Sequence, residues 1–204
     1  MRTTRTEAEF AAELAQLIKQ EGITSMNVGD IATRLRCSRR RLYDIAPTKE
    51  GLLLAVARQQ FQDSLASGFA AADAESEPAQ SLVAYLDAGR RSAEPLSPAF
   101  LADLQQSEEG RAMFDGYQLA RSMGARKILE AGVRCGDLRP LNTELVSEVL
   151  LGAAARLRKS EFLLRAGLTM PDAFAQAYGL VLEGLLVRPA PPRRAGRSVK
   201  QRNG

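Results

Sequence analysis

Three consecutive arginines, Arg39, Arg40 and Arg41, follow Ser38 and have Arg36, Tyr43, Asp44 and Lys49 close by in the chain. These residue types suit nucleic acid. A guanidinium fork can bond guanine N7 and O6 together in a major groove. Three arginines on one short helix do not all reach base edges, so one or two are expected on phosphates. Most basic runs are simply solvated faces; this one is set apart by its place at the start of a helix entered through a tight turn. Other chemistry is poorly supplied. The chain has no histidine and only two cysteines, Cys37 and Cys135. That removes imidazole acid–base catalysis, imidazole metal ligation and any thiolate zinc cage. There is no glycine-rich phosphate loop and no carboxylate constellation. The expectation is no enzyme, no cofactor and no metal.

The elements that must position these side chains read as helices throughout. Phe10, Leu14, Leu17 and Ile18 recur at helical spacing, and Gly22 closes a first helix. Asn27 caps a short second helix with Val28, Ile31, Ala32 and Leu35 on one face. Arg36 and Cys37 make a tight connection, and Ser38 caps a third helix that ends before Pro47. Two short helices across a turn of about three residues have the spacing of a DNA-reading helix-turn-helix. Val28, Ile31, Leu35 and Leu42 would fix the angle between them, leaving Arg39, Arg40, Arg41 and Asp44 outward. Thr48 or Pro47 opens a long fourth helix with Leu53, Val56, Ala57 and Phe61 inward. Pro78, Ser97-Pro98 and Ser107 with Glu108 and Glu109 mark the starts of helices five, six and seven. Residues 132–140 read as a loop. Asn142 caps an eighth helix running to about Arg165, and Pro171 starts a ninth that fades near Val187. No strand pattern is visible. The expected fold is all-α, with about nine helices: a helix-turn-helix bundle over 1–50, a larger helical ligand-binding and dimerisation domain over 51–187, and a disordered basic tail over 188–204.

The segment 27–53 resembles the TetR family of regulators. The resemblance rests on Asp30-Ile31-Ala32, Ser38, Leu42-Tyr43 and Pro47-Thr48-Lys49-Glu50 followed by Leu52-Leu53, and it is specific over 10–61. It implies a repressor that binds palindromic double-stranded operator DNA as a homodimer and is released by a small-molecule inducer. Carried over by position, Tyr43 and Lys49 resemble residues that touch operator phosphates, and Asn27 the cap that brings helix two to the backbone. A helix N-terminus independently favours phosphate. The chain departs from the family pattern in three places. Arg36 stands where a turn glycine is usual, Arg40-Arg41 replace a Gly-Thr pair, and Ala46 replaces a phenylalanine, with Ile45 expected to fill that space.

The second half is apolar but less informative. Leu145, Val149, Gly152, Ala153 and Leu157 share one stripe; Phe174, Ala177, Tyr178, Val181 and Leu185 share another. Small residues allow close helix approach, and the resemblance implies that these two helices form a four-helix dimer interface, although both stripes could instead face the chain's own core. Tyr85, Phe100, Leu104, Met113, Phe114, Tyr117 and Met123 are candidates to line a pocket for an apolar or amphipathic inducer. For any one of them, ordinary core packing is the stronger reading. Cys37, beside Arg36 and near a helix N-terminus, could have a lowered pKa, though a small half-buried residue is the better reading.

Charge is unevenly spread: six of the 28 basic residues fall in 188–204, which has no acid, so the remainder is slightly acidic against 24 acidic residues in all. Affinity for nucleic acid must therefore come from local clusters, with the tail as a flexible basic arm. No run is long enough to span a bilayer and no secretory pattern begins the chain, so a cytoplasmic protein without membrane contact is expected. The rival to a repressor is a DNA-coating or architectural protein of the same fold that senses no ligand.

Overall fold

Helix boundaries fall where a side chain can satisfy the free backbone groups at a helix end. The computed structural model describes residues 5–157 and 159–185, and forms ten helices with no β-strand among the described residues. Helix α1 (Glu7–Glu21) opens on a reciprocal capping box between Thr6 and Glu9, and Gly22 at φ 70° ends it. Helices α2 (Val28–Arg34) and α3 (Arg39–Tyr43) begin at Asn27 and Ser38. Thr48 caps α4 (Lys49–Asp73), and a proline at the first position starts α5 (Pro78–Ala93). Ser97 and Ser107 cap α6 (Pro98–Gln106) and α7 (Glu108–Cys135). Asn142 Oδ1 accepts from the Leu145 amide at 3.0 Å to start α8 (Thr143–Leu157). Helices α9 (Ser160–Ala166) and α10 (Met170–Leu185) complete the described chain.

Two features depart from the sequence-based expectation. The expected loop at 132–140 starts only at Gly136, because α7 runs on to Cys135. Gly132 is helical and buried; a Cβ there would come within 2.7 Å of the buried Leu138 side chain, whose amide bonds Gly132 O. The glycine lets the chain fold back over its own helix. The expected eighth helix is two, so the count is ten and not nine. Continuing α8 past Leu157 would turn Leu163 to another face, since six residues at 3.6 per turn leave the two well apart in direction. The break returns Leu163 to the cluster that also holds Leu157, Met170 and Phe174. Residues 188–204, expected to be a disordered tail, lie outside the described residues.

The core runs along the molecule in three clusters. The first joins Phe10, Leu14 and Ile18 of α1 and Ile31, Leu35 and Leu42 around α3 to Leu53 and Phe61 of α4, and continues into Phe100, Leu104 and Phe114 of α6 and α7. The second holds Leu82, Tyr85 and Leu129 between α5 and α7, with Leu150 of α8. Half-buried Leu96 and Leu101 pack against both the first and the third cluster, and Tyr178 against the second and the third, so apolar contacts link the arginine-bearing end to the rest. Full burial of each such leucine contributes about 1.5–3 kcal/mol.

Candidate nucleic-acid interface

The recognition element is held from behind. Ile31 and Leu42 are wholly buried and Leu35 nearly so, which fixes α3 against α2 and α1. Ser38 Oγ accepts from the Arg41 amide at 3.2 Å. Asn27 and Asp30 close a capping box, with bonds of 3.0 Å and 2.8 Å, so the Asn27 side chain is occupied in forming the α2 N-terminus. Arg36 sits in the turn at φ 49°, a left-handed conformation costly for a residue with a Cβ. This is the position where the resembled family pattern has a glycine.

The basic residues divide into two groups. Arg36, Arg39 and Arg40 are exposed, and no ion pair or side-chain hydrogen bond holds any of them among the described residues. Arg39 lies over Gly29, where a Cβ would come within 2.6 Å of its guanidinium. Tyr43 is 50% exposed and Asp44 is exposed beside it. Arg41 turns the other way: it pairs with Glu7 at 2.6 Å, and its Cζ stands 4.1 Å from the Phe10 ring centroid. Arg5, which sequence reasoning missed, joins the same group, 4.7 Å from that centroid and 2.9 Å from Leu35 O. Lys49 is similarly engaged: its ammonium donates to Ile23 O and Met26 O, both at 2.8 Å.

One detail corrects the sequence reading, and a second concerns Cys37. Ile45 does not fill the space left by the small Ala46; Ala46 is buried and Ile45 is 42% exposed. Cys37 is half-buried, and burial pushes its thiol up, against the pull of Arg5 and Arg41.

A buried carboxylate ties this end to α6. Asp103 accepts from the Ile23 amide, from the Thr24 amide at 3.1 Å and from the Thr24 hydroxyl, and a Cβ on Gly22 would overlap it. Sequence analysis overlooked Asp103. Its signal was an acid on the apolar face of a helix, three residues from Phe100 and next to Leu104.

The candidate pocket residues do not gather around one cavity. Phe100, Leu104 and Phe114 are core residues of the first cluster, against which Met113 and Tyr117 also pack. Tyr117 stacks on Phe61 at 4.5 Å and bonds the Ser64 hydroxyl at 2.7 Å. Met123 is 56% exposed. Tyr85 alone of the seven borders the narrow crevice between α5, α7, α8 and α10, which also touches Tyr178. Its volume is about 20 Å³, room for about one water.

The two C-terminal stripes differ. On α8, Leu145 is 62% and Val149 53% exposed; Gly152 is open, Ala153 and Leu157 are half-buried, and Ser147, Leu150 and Ala154 face inward. On α10, Phe174 is buried in the third cluster, Ala177, Tyr178 and Val181 are half-buried, and Leu180 points out. The side chain of Leu185 lies outside the described residues. No helix among the described residues is long and apolar enough to cross a membrane, and no group of acidic or cysteine side chains among them could hold a metal.

The sequence matches no family model and no curated relative, but the fold is shared with solved structures. A TetR family transcriptional regulator, PfmR from Thermus thermophilus, superposes with a TM-score of 0.63 at 21% identity, over 85% of this chain and 97% of that one. A transcriptional regulator of the TetR family from Agrobacterium tumefaciens gives 0.69 at 17%, over 89% and 100%. The regulator FadR from Bacillus subtilis, in complex with stearoyl-CoA, gives 0.67 at 14%, over 88% and 99%. The chain has the fold of TetR-family transcriptional regulators.

Proposed function

We propose that this protein is a DNA-binding transcriptional regulator, a repressor that binds a palindromic operator as a homodimer and is released by a small molecule held among its C-terminal helices. The observation that carries the reading is the set of unpaired, outward arginines, Arg36, Arg39 and Arg40, with Tyr43 and Asp44, on a helix locked from behind by Leu42. In this reading Arg39, Arg40 and Asp44 meet base edges, while Arg36 and Tyr43 meet phosphate. Asn27 and Ser38 act by forming helix ends. Arg41 and Lys49 are positioning residues, one fastening α3 to α1 and the other fastening the 23–26 loop to the start of α4. An Arg41 ion pair with so exposed a glutamate contributes little by itself, so Arg41 can still turn to a phosphate when DNA arrives.

The dimer reading is supported by the outward apolar face of α8, Leu145, Val149 and Gly152, and by the exposed Leu180 of α10. Such a face costs free energy in water unless covered. Release by a ligand is supported by the ligand-bound neighbour and by the continuous contact from the C-terminal helices through α6 and Asp103 to the 22–24 loop. A gel-shift titration of the full chain on its own promoter region tests the reading. Saturable binding that Arg40→Ala weakens is the expected result; binding that Arg39→Ala and Arg40→Ala leave unchanged overturns the recognition-helix assignment.

A further inference from the structure

Arg121 is a buried cation without a counter-charge. It is 6% exposed, forms no ion pair among the described residues, and its Nη1 has no hydrogen-bond partner. Its Nη2 donates to Tyr85 O at 3.2 Å, while the Tyr85 hydroxyl donates to Arg121 O at 3.1 Å. The guanidinium stands 4.8 Å from the Tyr85 ring centroid. An isolated buried cation is strongly disfavoured unless something neutralises it. Yet the helices are shaped to admit it. A Cβ on Gly89 of α5 would overlap the guanidinium. Glycine inside a helix lowers its stability, so Gly89 at this place marks a space kept open for the guanidinium.

We infer that Arg121 is the anchor for a small amphipathic monocarboxylate, whose head group binds the free Nη1 and whose body lies along the crevice between α5, α7, α8 and α10. Tyr178 borders the same crevice; burial raises the pKa of its hydroxyl, so it stays protonated and able to donate to an anion. The wall beyond is apolar at Leu150 and Ala154, and half-buried Gln118 offers the next polar group. Arg121 supplies a single positive charge and no second cation lines the crevice, so one negative charge is matched and a phosphate dianion is not. The crevice is narrow without ligand; binding must part α8 and α10 from α7, which carries the effect toward the rest of the fold. The inference names the ligand class of the inducer in the proposed function and rests on that reading.

The test is calorimetric titration of the full chain, without DNA, with butyrate, hexanoate, decanoate and benzoate, each beside its own amide, and with hexyl phosphate. A carboxylate should bind roughly ten- to hundredfold more tightly than its amide, as expected for a hydrogen bond to a buried charge, and hexanoate more tightly than hexyl phosphate. Arg121→Gln should abolish the preference for carboxylate over amide, and Tyr178→Phe should reduce it while the fold is kept. If no carboxylate outbinds its amide in the unaltered protein, or if the preference survives Arg121→Gln, the inference is wrong. Tighter binding of hexyl phosphate overturns the single-charge argument. Because the readout needs no DNA, a failure of operator binding leaves this result standing, and operator binding without carboxylate preference overturns the anchor alone.

Discussion

Replacing Asp103 by alanine should separate the arginine-bearing end from the body before the rest of the fold fails. The carboxylate accepts from two backbone amides and one hydroxyl in the 22–24 loop. Ile23 is 6% exposed, so its amide has no ready access to water; Thr24 is exposed and can be rehydrated. A buried donor left without its acceptor costs about 1–3 kcal/mol, and bonds to a charged group lie toward the upper end. Counting the Ile23 amide in full and the Thr24 groups in part gives a loss of about 3 kcal/mol for Asp103→Ala. Asp103→Asn keeps one acceptor oxygen but turns an NH2 toward donors, and should lose about 1–2 kcal/mol. Urea unfolding of the full chain reads these losses as a lower midpoint, and amide hydrogen exchange at Ile23 and Thr24 should speed up ahead of exchange in α5 and α7. A loss under about 0.5 kcal/mol, well below the cost of one unsatisfied donor, would refute the claim that Asp103 clamps the loop.

Other consequences concern the interface and the dimer. Arg40→Ala should weaken specific binding by about 1–3 kcal/mol if Arg40 makes a bidentate guanine contact. Arg41→Ala should cost less, with a fall in thermal stability from the lost Phe10 and Glu7 contacts; a gel shift and a melting curve distinguish the two. Arg36→Gly relieves about 1–2 kcal/mol of left-handed strain and gives back about 0.4–1 kcal/mol in unfolded-chain entropy. It should therefore melt no lower than the parent while its salt-dependence slope falls by about 0.9, the share of one phosphate. A lower melting temperature would contradict the strain argument. Leu145→Asp with Val149→Asp should give a folded monomer by sedimentation, and an unchanged dimer would move the interface off α8.

Most helix starts were legible because capping is local: Asn27, Ser38, Thr48, Ser97, Ser107 and Asn142 each act within three residues of themselves. The helix-turn-helix was legible for the same reason, since Ile31, Leu35 and Leu42 lie within one short stretch. The fates of individual cations were not. Arg41 meets Glu7 and Phe10 across more than thirty residues, and Lys49 reaches back to Ile23 and Met26; no periodicity announces such encounters. The α8–α9 break escaped because Leu163 keeps a helical pattern whose direction is decided by the third cluster, around Ala154, Met170 and Phe174. Arg121 also escaped, although glycines inside predicted helices at Gly68, Gly89 and Gly124 were a visible sign that something large passes close by. A Cβ on Gly124 would overlap the Tyr85 hydroxyl.

The central claim, that α3 reads DNA from a symmetric dimer, is most directly tested by selecting bound duplexes from a random pool with the full chain and sequencing them. The account predicts one palindrome, its half-sites centred about 34 Å apart or a multiple of that, with recovery lost for Arg39→Ala and Arg40→Ala together. Enrichment of no sequence, or of a site without two-fold symmetry, would contradict it and favour a protein that coats DNA.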